Sequence, residues 1–149
     1  MRADSAMTRR IVVIGPDTSL ATAWDLMVTL RIRHLPVVRD GLLLGIVSDR
    51  DVLLHAKVEG DEIVPPTVQV AELMSPFPFV CDPSTHVADI VRTMTEQKID
   101  AMPVLDTEDK LVGLVTSTDL LLLLIQDDEA RPLPFEWEIE HKGGGSATR

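Results

Sequence analysis

G-I-V-S-D-R-D-V at residues 45–52 returns as G-L-V-T-S-T-D-L at residues 113–120. A glycine, an apolar run, a hydroxyl residue and an aspartate three places later is the pattern of a buried strand feeding a capped helix. Working outward, R-H-L-P-V-V at 33–38 is echoed by D-A-M-P-V-L at 100–105, P-D-T-S-L-A at 16–21 by P-S-T-H-V-A at 83–88, and Met7 by Met74. The separation is 67 residues from Met7 to Met74 and from Pro36 to Pro103, but 68 from Gly45 to Gly113, so the second copy carries one extra residue in the turn around Thr107 to Asp109. One copy does not usually bury its apolar face alone. Two units packed face to face are expected, with function where equivalent elements meet.

Each copy reads as strand, helix, strand, strand, helix. Residues 11–14 are β-branched and short, and Asp17, Thr18 and Ser19 mark a helix start. Leu20, Ala23, Trp24, Met27 and Leu30 then recur at helical spacing as one buried stripe. The apolar runs 35–38 and 42–47 flank Arg39-Asp40-Gly41, a polar turn that makes them a hairpin. A second helix follows Ser48. In copy two the matching elements are strand 79–81, helix 84–97 with Val87, Ile90, Val91 and Met94 inward, strands 102–105 and 111–115, and a helix from Ser117. The expected division is unit one at 6–58, a semi-rigid linker at 59–68 with acidic residues, Gly60 and Pro65-Pro66, unit two at 69–127, and an acidic tail at 128–149. Within the tail, Phe135, Trp137 and Ile139 alternate with Glu, which suits a short strand or arm as well as an unstructured tail.

The 149 residues are 45% apolar, enough for one modest core divided between units of roughly 60 residues. Cys81 is the single cysteine, so no internal disulfide forms, and with no signal peptide or long apolar span a reducing cytoplasm is expected. The apolar run 120–125 is too short to cross a bilayer and fits a helix buried at a subunit interface. A net charge of −10 disfavours binding to a phosphate backbone, and three Phe, two Trp and no Tyr leave little to stack on bases. His34, His55, His86 and His141 are scattered without zinc spacing, and no nucleophile motif is present, so neither a metal site nor an enzyme is expected.

Met7-Thr8-Arg9, P-D-T-S-L, R-H-L-P-V-V, G-I-V-S-D-R-D-V and their second-copy counterparts closely resemble a tandem cystathionine-beta-synthase (CBS) domain pair, over about residues 6 to 127. The resemblance implies an α/β (α+β) fold of two β-α-β-β-α units packed through their sheets with pseudo-two-fold symmetry, often as a homodimer. It further implies an adenosine-containing ligand between the repeats, AMP, ADP, ATP or S-adenosylmethionine, and a regulatory role without catalysis.

On that resemblance, Ser48 with Asp51 and Thr116 with Asp119 are expected to hold ribose, since a carboxylate can accept from vicinal hydroxyls while the hydroxyl residue reaches a neighbouring oxygen. The same spacing caps a helix. With no glycine-rich phosphate loop, phosphate must be met by side chains: Arg33 and His34, with Arg31 and Arg50 nearby. A solvated helix end explains Arg31 and Arg33 equally well. Copy two has Asp100 and Ala101 at the positions of Arg33 and His34. In the family the basic pair reaches the ligand held by the other repeat, so Arg33 and His34 are paired with Thr116 and Asp119, and Asp51 with Asp100. Two unequal sites result. Ile14, Leu35, Val80 and Met102 are candidates for the apolar walls around adenine. The leading function is an adenine-nucleotide sensor, a homodimer acting on an unidentified partner protein in trans. The alternatives are a ligand-free dimerisation module and a sensor of S-adenosylmethionine or an NAD-type ligand.

Overall fold

The computed structural model describes residues 1–126; the tail at 128–149 lies outside the described residues. After a short helix α1 (Ala3–Ala6), unit one runs α2 (Leu20–Leu30), β1 (His34–Arg39), β2 (Leu42–Ser48) and α3 (Asp49–His55). A hairpin of β3 (Lys57–Glu59) and β4 (Glu62–Val64) follows, so the stretch read as a linker is partly sheet. Unit two then places a single 3-10 turn (Val70–Glu72) and β5 (Ser75–Pro76) before α4 (Val87–Gln97), β6 (Ala101–Leu105), β7 (Leu111–Thr116) and α5 (Ser117–Gln126). The fold is mixed α/β with small antiparallel sheets: β1-β2 of unit one extended by β5 of unit two, the β3-β4 hairpin, and β6-β7 of unit two.

Local chemistry sets each element. Ser19 caps α2, its side chain accepting from the Thr22 amide, and Arg31 ends the helix in the left-handed region at φ 54°. Lys98 ends α4 identically, at φ 54°. Asp40 and Gly41, both at positive φ, form the two-residue turn between β1 and β2, the pattern of the hairpin turn that matches strand twist. In unit two Asp106 Oδ1 accepts from the amides of Glu108 and Lys110, which accommodates the extra residue.

Three expectations are corrected. The short strands at 11–14 and 79–81 reduce to single parallel bridges, Ile14 with Val37 and Cys81 with Val104, while Ile11, Val12 and Phe79 of the expected strands line surface clefts instead. Leu30 and Val91 are exposed rather than inward; the buried faces of α2 and α4 are Leu20, Ala23 and Met27, and Ile90 and Met94. The helix expected from residue 84 starts at Val87, because Asp82 accepts from the Ser84 amide and holds the chain in a turn.

There are two cores, and each is completed by the other unit. Val70 is fully buried among Leu20, Leu35, Val37, Val47 and Val52 of unit one. Ala3 is fully buried among Ile90, Met94, Val104 and Val115 of unit two, with Met7 packed beside it. The exchange is hydrogen-bonded: Leu20 N donates to Val68 O and Val70 N to Thr18 O, while Ala3 N donates to Thr85 O and Val87 N to Met1 O. The leading segments then add to the partner sheet, β5 beside β2 and Thr8 beside Leu114.

The repeated glycines permit this. A Cβ on Gly45 would stand 2.7 Å from both the Ser75 carbonyl oxygen and Met74 Sδ, and one on Gly113 would collide with Met7 Sδ. Gly45→Ala must therefore push β5 off β2. A loss of about 1–3 kcal/mol is expected from overpacking, read as a lower urea midpoint, and an unchanged midpoint would show that the exchanged segment is not held there.

Candidate functional site

Two clefts open where the units meet, of about 240 Å³ and 320 Å³. Cleft one takes Thr8, Arg10, Ile11 and Val12 from the leading segment of unit one, Arg31 to His34 from the end of α2 and start of β1, and Leu114 with Thr116 to Thr118 from the β7–α5 junction. Cleft two is its counterpart: Ser75 to Phe79, Lys98 to Ala101, and Ile46 with Ser48 to Asp51. Arg33 and His34 line both.

The strand-to-helix junctions are built alike. Ser48 caps α3, its Oγ accepting from the Asp51 amide at 3.2 Å, while Asp51 Oδ2 accepts from the Ser48 amide at 2.8 Å and from its hydroxyl at 3.1 Å. Thr116 and Asp119 repeat these bonds at 3.2, 2.8 and 3.0 Å. Each aspartate thus spends one oxygen on the cap. They differ in the other: Asp119 Oδ1 accepts from Thr8 Oγ1 at 2.8 Å, whereas Asp51 uses only Oδ2 among the described residues. Asp51 lines cleft two directly; Asp119 meets cleft one through Thr8 and Thr116, which line it.

The candidate residues are dispersed as follows. Thr116, Arg33 and His34 share cleft one; Ser48, Asp51 and Arg50 share cleft two with Asp100. Leu35 and Met102 are buried in the cores of units one and two, Ile14 lies in the unit-one core, Val80 is exposed, and none of the four lines either cleft. The apolar surface in the clefts comes instead from Ile11, Val12, Ile32 and Leu114 in one, and from Ile46, Phe77, Phe79 and Ile99 in the other. Arg10 and Lys98 were not singled out by the sequence. A signal existed: at the 67-residue offset Lys98 is the counterpart of Arg31, and Arg10 that of Phe77. Arg31, Lys98 and Phe77 all hold positive φ, a conformation costly for residues with side chains and one that collects at binding sites.

Charge separates the clefts. The lining of cleft one carries Arg10, Arg31 and Arg33 and no carboxylate; that of cleft two sets Arg33, Arg50 and Lys98 against Asp49, Asp51 and Asp100. Burial pushes the His34 imidazole below its ordinary value, with Asp49 opposing, Arg33 adding, and Asp100 and Asp51 opposing more weakly. His34 therefore enters the clefts neutral at pH 7. Burial next to Asp82 pushes the Cys81 thiol up to about 11, so it stays protonated at neutral pH. Among the described residues no cluster of His, Cys, Asp and Glu is arranged to hold a metal ion, and no helix is long and apolar enough to cross a membrane.

An internally repeated α/β chain with two clefts, each drawing on both units, defines a tandem-repeat module. The chain belongs to the CBS domain family, which residues 3–57 and 70–126 each match. The chloroplastic CBS domain-containing protein CBSX2 of Arabidopsis thaliana is 30% identical over 139 residues, covering 76% of this chain and 58% of that protein. YhcV, a CBS domain-containing protein of Bacillus subtilis, is 28% identical, covering 83% of this chain and 86% of its own length. Inosine-5'-monophosphate dehydrogenase of Thermoplasma acidophilum matches at 28% identity over only 23% of its length. The chain thus spans less than two thirds of some of the relatives it matches. Among solved structures, CBSX2 in complex with AMP superposes with a TM-score of 0.74 at 30% identity, covering 84% of this chain and 97% of that one. The CBS pair of MJ0100 shares the fold, with a TM-score of 0.73 at 21% identity, covering 85% of this chain and 97% of that one.

The lowered His34 pKa gives a signed expectation. Between the folded pKa and 6.5 the unfolded chain binds a proton that the folded chain does not, so stability falls as pH drops through 6.5 and is unaffected by this group above it. His34→Gln should flatten that acid-side slope relative to wild type in urea denaturation followed downward from neutral pH. Parallel curves for the two proteins would contradict it.

Proposed function

We propose that this protein is a sensor of adenine nucleotides, AMP, ADP or ATP, that binds a phosphorylated nucleoside in cleft one and acts on a partner protein in trans. The observation that carries this is that Thr116 lines cleft one with Asp119 bonded directly behind it, beside Arg10, Arg31, Arg33 and neutral His34 and with no acid in the lining itself. The junction suits the two ribose hydroxyls and the guanidinium groups suit phosphate, to which arginine donates in pairs. Ile11, Val12 and Leu114 supply an apolar wall for the base. The AMP complex of CBSX2, at 30% identity, supports the ligand class.

Cleft two is the weaker site for an anion, because its three acids offset its three bases and Phe77, 95% exposed, replaces Arg10. A neutral or less charged adenosine compound fits it better. The output runs through the outer helices. Leu121, Leu122, Leu124 and Ile125 of α5 are exposed, and a groove of about 700 Å³ in which Leu121 and Leu124 meet Val91 of α4 suits a second copy, making a homodimer. A reducing cytoplasm remains the proposed setting. A partner preferring the nucleotide-bound form must tighten nucleotide binding by the same factor.

The competing reading is a scaffold whose clefts stay empty, favoured by the capping bonds that already occupy Asp51 and Asp119. Thermal unfolding separates the two: AMP or ATP at about 100 times its dissociation constant adds about 2.7 kcal/mol, whereas no shift with any adenosine compound, S-adenosylmethionine included, leaves the scaffold. Asp119→Ala should abolish tight AMP and ATP binding and Asp51→Ala should spare it; the reverse pattern would overturn the assignment of clefts. For the dimer, Leu121→Glu should shift the chain to monomer in sedimentation, and a dimer that persists would place the interface elsewhere.

A further inference from the structure

Arg33 faces both clefts, yet its charge is drawn to one of them. Its Nε donates to Asp49 Oδ2 at 3.1 Å and its Nη2 lies 3.9 Å from Asp100 Oδ2. Both acids line cleft two and neither lines cleft one. The Arg33 side chain is 58% exposed, and while Asp100 is 55% exposed and 3.9 Å away, Asp49 is 25% exposed, so the tie to Asp100 is weak and the tie to Asp49 the firmer one that a better anion must displace. A phosphate in cleft one is such an anion, since it offers the guanidinium two parallel acceptors in a site with no acid of its own.

We infer that Arg33 couples the two clefts: an anion in cleft one draws the guanidinium away from Asp49 and Asp100, making cleft two poorer for a second anion and better for a neutral or cationic ligand. This rests on the reading that cleft one takes a phosphorylated nucleoside. With Arg33 withdrawn, Asp49, Asp51 and Asp100 face only Arg50 and Lys98, so the balance in cleft two turns negative. The relation is reciprocal: a cation in cleft two releases Arg33 and strengthens anion binding in cleft one. It has no mirror image, because the counterpart of Arg33 in unit two is Asp100 itself. Ligand charge, more than ligand shape, is then what one cleft reports to the other.

Calorimetric titration with AMP tests this on the whole chain. Asp119→Ala leaves only cleft two, and its affinity there should exceed the second, weaker step of wild type by about fivefold, the lower end of ordinary coupling between sites. The double variant Asp49→Asn with Asp100→Asn should tighten the first AMP step, a gain that misfolding cannot imitate. That gain should disappear in an Arg33→Gln background, which separates release of Arg33 from a general change of charge. If the Asn variant gains nothing in the first step, or gains equally without Arg33, the coupling is overturned while the sensor reading stands. If wild type takes up no AMP in either cleft, both fall together.

Discussion

The structure depends on an exchange. Each unit lacks a piece of its own core and receives it from the other: Val70 closes the core of unit one, Ala3 and Met7 that of unit two. Fully burying a side chain such as Val70 contributes roughly 1.5–3 kcal/mol, and the segments bring backbone hydrogen bonds and a strand edge as well. Neither unit is a finished domain alone. Because the exchanged segments go on to line the clefts, with Thr8 to Val12 in one and Ser75 to Phe79 in the other, the bonds that hold the fold together also place the two sites.

Within that frame the two clefts share a backbone plan and differ in charge. At matched positions Arg10 stands against Phe77, Arg33 against Asp100, His34 against Ala101, and Ser117 against Asp49. Of these positions only Ala101 is buried, so the recognition surface differs while most of the packing stays common. The left-handed ends of α2 and α4, at Arg31 and Lys98, are shared by the two copies: both keep a cation at the mouth through a backbone conformation that glycine would adopt more cheaply.

Much of this was legible in the sequence, and the boundary between what was and was not has physical causes. The hairpins and helices were readable because Asp40-Gly41, Ser19 and the two S/T-x-x-D junctions are local signals that act through the backbone nearest them. Cleft walls were not. Leu35, Met102 and Ile14 carry the same apolar signal as Ile11 or Val12, and only the exchange of segments decides which go to a core and which to a cleft. Leu30 and Val91 keep helical spacing yet lie on the outer face, because the buried stripe on each helix is narrower than the apolar pattern suggests. The hairpin at 57–64 carries no such signal, because its strands are three residues each and largely exposed, next to a proline pair that reads as a connector.

Covalent linkage of the copies has one more effect. Two separate identical chains can trade segments in the same way, but symmetry then obliges both clefts to carry the same side chains. Joined in one polypeptide, the copies are released from that obligation. A substitution such as phenylalanine where its twin keeps Arg10 alters one mouth without touching the other, so a molecule assembled from duplicate parts acquires a distinguishable left and right.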